Sequence, residues 1–236
     1  MSLRRPVATP ATSQRLTFEY GPMEAGKTLA LHARHRAIEC SGEAVTVLVC
    51  DPDFVEGRET RVPLYKTTQL LVDVHHMAHL VGPHTDLLKI LTSGACTHAK
   101  TLLVDNAHFL TERQVHHVLF LVTEGASSVY CYGLRADFRG LPFAASALLM
   151  ARADTLVGHT GLCHCGERSA ATIRIDVGGG VVLEGDSVHA CRDAYRSLCA
   201  THWNQATRRR FAGPTRPPPP SPLCPPASCA AEHGRS

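Results

Sequence analysis

Eight consecutive residues near the amino terminus have the types and spacing of a phosphate-binding loop. Residues 21–28 follow the pattern Gly-x4-Gly-Lys-Thr, and they comprise Gly21, Pro22, Met23, Glu24, Ala25, Gly26, Lys27 and Thr28. In such a loop, backbone N–H groups and a helix N-terminus face the anion. The Lys27 ammonium would reach the β- and γ-phosphates, and the Thr28 hydroxyl would hold Mg²⁺. A chance glycine turn before a helix is the alternative. The pattern predicts a site for a nucleoside triphosphate.

An acidic side chain follows a second apolar run, where a phosphate site needs a partner to organise Mg²⁺. Asp105 ends the run Lys100-Thr101-Leu102-Leu103-Val104-Asp105. An aspartate at such a point could instead cap the next helix. With a phosphate loop upstream, the magnesium role is favoured.

Short apolar runs alternate with helix-like stretches through the segment that carries both motifs. Continuous apolar runs of this kind are typical of parallel strands buried on both faces. The fold class that follows is α/β, with a parallel sheet flanked by helices. Strands are predicted at 16–20, 45–50, 101–105, 129–132 and 155–157, and a helix at 29–39.

Composition divides the chain into four segments. Residues 1–14 are polar and predicted to be disordered, 15–158 form the nucleotide-binding core, and 159–204 contain clustered cysteines and glycines. Residues 205–236 are rich in proline, which favours extended conformations and cannot build a core. This tail could dock a proline-reading partner or remain solvated.

Charge and cysteine usage limit the function classes. A net charge of +3 over 236 residues is too small to argue for nucleic acid or a membrane surface. Neither a secretory signal nor an apolar run of membrane-spanning length is found, so a cytoplasmic location is expected. Cys163, Cys165, Cys191 and Cys199 lie close together among histidines. In a reducing compartment such a cluster indicates metal binding sooner than disulfides, with unmetallated thiols as the alternative.

Taken in order, these motifs resemble those of the type II thymidine kinases. Their phosphate loop reads Gly-Pro-Met-Phe-Ser-Gly-Lys, close to residues 21–27, and their Asp-Glu-Ala-Gln-Phe corresponds to residues 105–109. Their Gly-Leu-Asp-Gly-Asp-Phe-Arg-x-x-Pro-Phe corresponds to residues 133–143, and the agreement extends over about 16–205. The resemblance implies a P-loop NTPase-like kinase core with a small zinc-binding lasso subdomain. It also implies a homotetramer that transfers the ATP γ-phosphate to the 5′-hydroxyl of thymidine or deoxyuridine.

The resemblance assigns expected roles to individual side chains. Arg139 would lie near the phosphates. Residues 172–185 would form the lasso, a hairpin whose backbone groups hydrogen-bond the base, and consecutive glycines permit its tight turn. The nucleoside would be lined by Met23, Phe109, Leu134, Phe138, Phe143, Thr172 and Tyr195.

The family's structural zinc is held by two Cys-x-x-Cys pairs, and both pairs differ here. The first becomes Cys163-His164-Cys165, and the second becomes Cys199-Ala200-Thr201-His202. A Cys3His set is an established structural zinc site. The expected ligands are therefore Cys163, Cys165, Cys199 and His202, with Cys191, His164 or His189 as substitutes.

One position of the resemblance bears directly on catalysis. The family's general base is a Glu after the metal-binding Asp, and here that position is Asn106, whose amide cannot accept a proton at neutral pH. General base catalysis contributes about 10²–10⁴-fold, whereas positioning and charge neutralisation carry most of a phosphoryl transfer. With Lys27 and Arg139 retained, a slowed kinase is expected. Glu24, or His108 if the segment is extended, could replace the base. Further departures are Arg135, in place of an Asp, and the segment 51–61.

Two other function classes compete with the kinase. A degenerate nucleotide-binding protein would fit Asn106 and the proline-rich tail. An ATPase acting on nucleic acid would need basic stripes with interleaved aromatic residues, and the sequence offers only residues 208–210.

Overall fold

The computed structural model describes residues 15–54, 78–92, 99–124, 127–187 and 194–208, and within these ranges nine strands form two sheets. The predicted disordered segment 1–14, most of the segment 51–61 and nearly all of the proline-rich tail lie outside the described residues.

The larger sheet has six strands, all parallel, in the order β3-β2-β4-β5-β1-β6. This arrangement confirms the predicted α/β fold with a parallel sheet. Each of the five predicted strands is present, and β3 is an additional strand. The strands are β1 (Leu16–Gly21), β2 (Val45–Cys50), β3 (Ala78–Val81), β4 (Thr101–Asp105), β5 (Ser128–Leu134) and β6 (Thr155–Gly158).

Helices cover both faces of this sheet, and the central strands are therefore buried on both sides. Leu102 and Val104 of β4 belong to one apolar cluster, whereas Leu103 between them belongs to another, which includes Leu31 of the first helix. The continuous apolar runs read from the sequence have this cause. The helices are α1 (Lys27–Ser41), α2 (Leu87–Thr92), α3 (Glu112–Thr123), α4 (Ala144–Arg152) and α5 (Ala200–Thr207), with a 3₁₀ turn at Ala107–Phe109.

The smaller sheet is antiparallel and has the order β8-β7-β9. Its strands are β7 (Ala171–Ile175), β8 (Val181–Val182) and β9 (Ala194–Leu198). Between β7 and β8 the Asp176 carboxylate accepts hydrogen bonds from the N–H groups of Gly178 and Gly180, both at 2.8 Å. Gly179 has φ 81°, a left-handed conformation that favours glycine, and an added Cβ at Gly180 would lie 2.8 Å from the Asp176 carboxylate and displace it.

A buried carboxylate on β1 connects this strand to helix α1 and to the end of β6, next to the phosphate loop. Glu19 of β1 is 3% exposed and lies 2.7 Å from Arg34 of α1 and 2.7 Å from His159, which follows β6. Arg34 also donates to the Tyr132 hydroxyl at 2.8 Å. The contacts therefore fix α1 and the end of β6 against β1.

Among the described residues, no helix is both long and apolar enough to cross a membrane.

Candidate nucleotide site and metal centre

The carboxyl ends of two strands bring together the polar residues predicted to bind phosphate and magnesium. β1 ends at Gly21 and leads through the loop to Lys27 and Thr28, the first residues of α1, while β4 ends at Asp105. The Thr28 hydroxyl and the Lys27 ammonium both lie close enough to the Asp105 carboxylate to stabilise its charged form and lower its pKa. The Lys27 Nζ donates to the Pro22 carbonyl at 2.6 Å. A cation, a hydroxyl and a carboxylate thus meet at one edge of the sheet.

The loop backbone has a conformation that suits its glycines. Gly26 has φ 81° directly before α1, a left-handed conformation that glycine adopts without strain. At Gly21 an added Cβ would collide with the backbone carbonyl of His159. Glu24 also has a positive φ, 57°, and its side chain is exposed. The loop therefore keeps its carboxylate in solvent.

Burial changes the protonation equilibria of the two charged groups. Desolvation lowers the pKa of Lys27 to about 8, although the nearby Asp105 partly opposes this shift. The pKa of Asp105 is raised by burial, against the stabilising influence of the Asn106 N–H, Lys27 and Thr28. Because desolvation disfavours the charged form of Lys27, an anion bound beside it would stabilise the ammonium.

Asn106 follows the metal-binding position in a left-handed conformation. Its φ is 52°, which asparagine tolerates better than most residues, and its N–H donates to the Asp105 carboxylate at 2.9 Å. The expectation of an extended segment here is wrong, because residues 107–109 form a 3₁₀ turn. His108 is buried in that turn, and its Nδ1 accepts from the Leu134 N–H at 3.3 Å. Burial and the nearby Lys27 lower its pKa to about 3, so His108 is a poor base near neutrality.

Aromatic rings cluster around this turn, where the nucleoside residues were predicted. The His108 ring lies 3.9 Å from the Phe109 ring and 4.8 Å from the Phe143 ring, measured between centroids. The rings of Phe109 and Phe143 meet edge to face at 6.2 Å. Leu134 ends the adjacent strand and contacts His108 through its N–H. Phe109, Leu134 and Phe143 are therefore brought together beside Asp105.

The remaining predicted nucleoside residues lie on the smaller sheet and its contacts. Thr172 is buried on β7, and its hydroxyl accepts a hydrogen bond from the Met23 N–H at 3.1 Å. The Met23 carbonyl accepts from the Ser197 hydroxyl of β9 at 2.5 Å. Tyr195 is half-buried on β9. Phe138 lies in the loop after β5 and is only 2% exposed.

Arg139 is held by its own loop. Its guanidinium contacts the buried Asp137 carboxylate at 2.7 Å and 2.6 Å and donates to the Ser187 hydroxyl at 2.8 Å. Asp137 also accepts backbone N–H bonds from Arg139 and Leu141. Arg135 is exposed, with its guanidinium 5.8 Å from the Tyr20 ring centroid.

The four predicted zinc ligands converge on one point. Ligand atoms of Cys163, Cys165, Cys199 and His202 all lie within 4.8 Å of one another. Cys165 Sγ is 3.9 Å from Cys199 Sγ, and His202 Nδ1 is 3.3 Å and 3.5 Å from the sulfurs of Cys199 and Cys163. Tetrahedral Zn²⁺ with its usual bond lengths gives edges of about 3.8 Å between sulfurs and about 3.6 Å between sulfur and nitrogen. The residues present therefore fit zinc.

Local structure explains how so short a first pair reaches the metal position. Cys163 and Cys165 flank a tight turn in which Cys163 N–H donates to the Glu167 carbonyl at 2.8 Å and Gly166 has φ 86°. Cys199 caps α5, and His202 lies in its first turn. Burial opposes charge on Cys163, but backbone N–H groups and the other two thiols outweigh it and lower the pKa to about 6. A thiolate is the form that binds metal.

The alternative zinc ligands predicted from the sequence lie either outside the four-residue cluster or outside the described residues. His164 is exposed and lies outside the four-residue cluster, with its Nδ1 3.6 Å from Cys163 Sγ and its ring 4.3 Å from the His202 ring. Cys191 and His189 lie outside the described residues.

Sequence reasoning missed several residues that shape the site. Glu19, His159 and Arg174 make contacts with residues far away in the sequence. In the sequence, Glu19 and Arg174 are marked only as charged residues inside the apolar runs of β1 and β7, and a buried charge needs a partner. His159 follows β6 and carries no such signal.

The chain is similar to known proteins over most of its length. A family model described as thymidine kinase matches residues 14–203. A thymidine kinase of Francisella tularensis subsp. tularensis is 30% identical over 200 residues, covering 81% of this chain and 97% of the relative. The thymidine kinase of Enterobacteria phage T4 is 32% identical over 196 residues, with 82% and 97% covered. That of Photobacterium profundum is 32% identical over 203 residues, with 83% and 99% covered. This chain therefore belongs to the type II thymidine kinase family.

Proposed function

We propose that the protein transfers the γ-phosphate of ATP to the 5′-hydroxyl of thymidine or deoxyuridine. The observation that carries the proposal is the meeting of Lys27, Thr28 and Asp105 at one sheet edge, in a chain of the thymidine kinase family. Beside that edge lies the aromatic cluster of Phe109 and Phe143, and flat apolar walls suit a pyrimidine base.

Each group then has a role that its surroundings support. The N–H groups of residues 21–28 and the Lys27 ammonium hold the triphosphate. Thr28 and Asp105 would hold Mg²⁺, which neutralises phosphate charge when bound. Arg139 lies near the phosphates in this proposal. The base is held by backbone groups of residues 172–185 and by Met23, Phe109, Leu134, Phe138, Phe143, Thr172 and Tyr195.

The transfer itself requires little from the protein beyond positioning. The 5′-oxygen bonds to the γ-phosphorus as the bond to the β–γ bridging oxygen breaks, and ADP leaves. Asn106 can orient the hydroxyl through a hydrogen bond but cannot take its proton, so the proton passes to water or to the product phosphate. Because the transition state is loose, the reaction continues without a protein base, at a reduced rate.

Several further assignments belong to this proposal. Zinc at Cys163, Cys165, Cys199 and His202 stabilises the base of the smaller sheet, since four protein ligands make a closed structural site. Residues 15–158 act as the kinase core, and residues 159–204 as the zinc and lasso subdomain. A cytoplasmic homotetramer is the form expected from the family resemblance.

A second candidate function is favoured by one residue. Asn106, in place of a carboxylate, fits a protein that binds ATP and nucleoside without efficient turnover and serves a regulatory role. The two candidates differ in catalysis, and they share the fold and the nucleotide site.

Thymidine phosphorylation by the wild type, Lys27→Ala and Asn106→Glu distinguishes them. The kinase proposal predicts slow wild-type turnover, its loss in Lys27→Ala and acceleration in Asn106→Glu. An inactive wild type that becomes active as Asn106→Glu would favour the degenerate binder. Activity retained in full by Lys27→Ala would overturn both. Thermal unfolding is measured in parallel, because a positive φ suits Glu less well than Asn, at a cost of about 1 kcal/mol.

A further inference from the structure

Two arginines fasten the segment after β8 to the loop between β5 and α4. Residues 183–187, here called the strap, follow directly after β8, and the β5–α4 loop comprises residues 135–143. Arg174 of β7 and Arg139 of the loop each donate a hydrogen bond to the strap. Both segments belong to regions to which the proposed function assigns nucleoside contacts.

Arg174 is buried although it carries a charge. It is 6% exposed, and its guanidinium lies 4.2 Å from the centroid of the Phe138 ring. Its two terminal nitrogens donate to strap carbonyls, at 2.9 Å to Asp186 and 3.4 Å to Glu184. Stacking on an aromatic face and planar donation to acceptors are both properties of guanidinium that an ammonium lacks. A buried charge requires such compensation, so the strap carbonyls and the ring are matched to this side chain.

The strap backbone is shaped for the same contact. Gly185 lies between the two acceptor residues, with φ 116°. An added Cβ there would lie 2.9 Å from an Arg174 terminal nitrogen. A side chain at this position would therefore strain the strap backbone and press against the guanidinium, so one of the two must shift.

A second fastening holds the end of the strap. The Ser187 hydroxyl accepts from Arg139 at 2.8 Å and donates to the Asp137 carboxylate at 3.2 Å. Asp137 is 4% exposed and also fixes its own loop through backbone N–H groups. The strap is thus joined to the Phe138-bearing loop through Arg174, which contacts the Phe138 ring, and through the Ser187 bonds to Arg139 and Asp137.

We propose that Arg174 is a positioning residue for the nucleoside. It holds the strap against the Phe138-bearing loop, so that these two segments keep a fixed spacing before the nucleoside binds. The inference rests on the proposed function. Because both segments are ordered in advance, less conformational entropy is lost on binding. None of these Arg174 bonds reaches the phosphate loop, so its loss is expected to weaken nucleoside binding much more than ATP binding.

The test compares thymidine and ATP binding in Arg174→Met, Arg174→Lys, Gly185→Ala and the control Arg196→Met. Arg196 is exposed on the neighbouring strand β9, so its variant makes the same chemical change away from the strap. Affinity for each ligand is measured by calorimetry, and KM and kcat are measured where turnover allows. Cleavage after Glu184 by a glutamate-specific protease, without ligand, reports whether the strap is held.

Arg174→Met and Gly185→Ala are expected to weaken thymidine binding about tenfold or more and to speed cleavage after Glu184, with ATP affinity within twofold of wild type. Arg174→Lys should show an intermediate loss, and Arg196→Met none. Unchanged thymidine affinity in both Gly185→Ala and a folded Arg174→Met would overturn the inference alone, because the wild type still binds thymidine. Equal losses for thymidine and ATP would also overturn it, since they indicate a general structural role. A wild type that binds no thymidine would overturn the proposed function together with this inference.

Discussion

Lys27 has surroundings that make its charge depend on the ligand. Burial lowers its pKa to about 8, and the nearby carboxylate of Asp105 only partly opposes this shift. A triphosphate brings several negative charges within reach of the ammonium, which favours the charged form. The unfolded chain, with a lysine pKa near 10.5, binds more protons than the ligand-free folded protein between about pH 8 and pH 10.5. Stability without ligand therefore rises with pH across that window.

We predict that Lys27 takes up a proton when ATP binds at pH 8.5. Part of Lys27 is neutral there in the free protein and becomes charged beside the phosphates. The apparent enthalpy of ATP binding should therefore vary among buffers with different heats of ionisation, and this dependence should diminish at pH 7. Lys27→Arg is the control, because its guanidinium stays charged throughout. A buffer dependence that persists in Lys27→Arg would show that another group takes up the proton.

The residue types of this site could be read from the sequence, but their conformations could not. The Gly-x4-Gly-Lys-Thr spacing that includes Gly26 and Lys27 indicates a phosphate loop, because few other structures require it. The left-handed backbone of Asn106 and the 3₁₀ turn after it depend on packing against β5, where Gly133 leaves room for His108. An extended segment was the natural expectation, and this local packing is the reason it failed.

Among the elements, a short turn and a short helix together present the metal cluster. A tight turn presents Cys163 and Cys165, and the first turn of α5 presents Cys199 and His202. The apolar cluster beneath them is small, made of Cys163, Ile173, Ile175, Leu198 and Cys199. So small a core contributes limited hydrophobic stabilisation, and a structural metal would supply the remainder.

The zinc assignment predicts one equivalent of zinc per chain in the wild type and a large loss in His202→Ala. His164→Ala is the matched control, because it removes the neighbouring exposed imidazole and leaves the four-residue cluster intact. Zinc content is measured by mass spectrometry on protein purified without added metal, alongside the midpoint of thermal unfolding. Both should fall in His202→Ala alone. Retention of zinc by His202→Ala together with its loss in His164→Ala would assign the fourth ligand to His164.

Most strands of the large sheet could be predicted from the sequence, but the long-range contacts of their side chains could not. Buried parallel strands carry apolar runs such as residues 101–104, which the sequence displays directly. β3 was missed because its four residues, Ala-His-Leu-Val, form too short a run to stand out. The pairing of Glu19 with His159 joins residues 140 positions apart, a separation that leaves no periodic trace in the sequence.

On the scale of the whole molecule, the two sheets meet at the phosphate loop. Met23 donates its N–H to Thr172 of β7 and accepts from Ser197 of β9. The loop that would hold ATP is therefore fixed by the sheet that would hold the nucleoside. We therefore expect that order in the smaller sheet helps to order the phosphate loop.

Ser197→Ala tests this connection away from every proposed ligand contact. Loss of one buried hydrogen bond of about 1 kcal/mol corresponds to about a fivefold change in an equilibrium constant. ATP affinity is expected to fall by about that factor, since the loop is less ordered before binding. Thr201→Ala, exposed on α5, is the control. An ATP affinity equal to wild type in Ser197→Ala would mean that the smaller sheet does not organise the loop.

Phosphate transfer to a pyrimidine deoxynucleoside is tested by incubating γ-labelled ATP with thymidine and the purified wild type. We expect slow formation of labelled thymidine 5′-monophosphate, identified by mass spectrometry, that requires both Mg²⁺ and Lys27. Failure to form this product at any nucleoside concentration, by a folded protein that binds ATP, would contradict the proposed phosphate transfer.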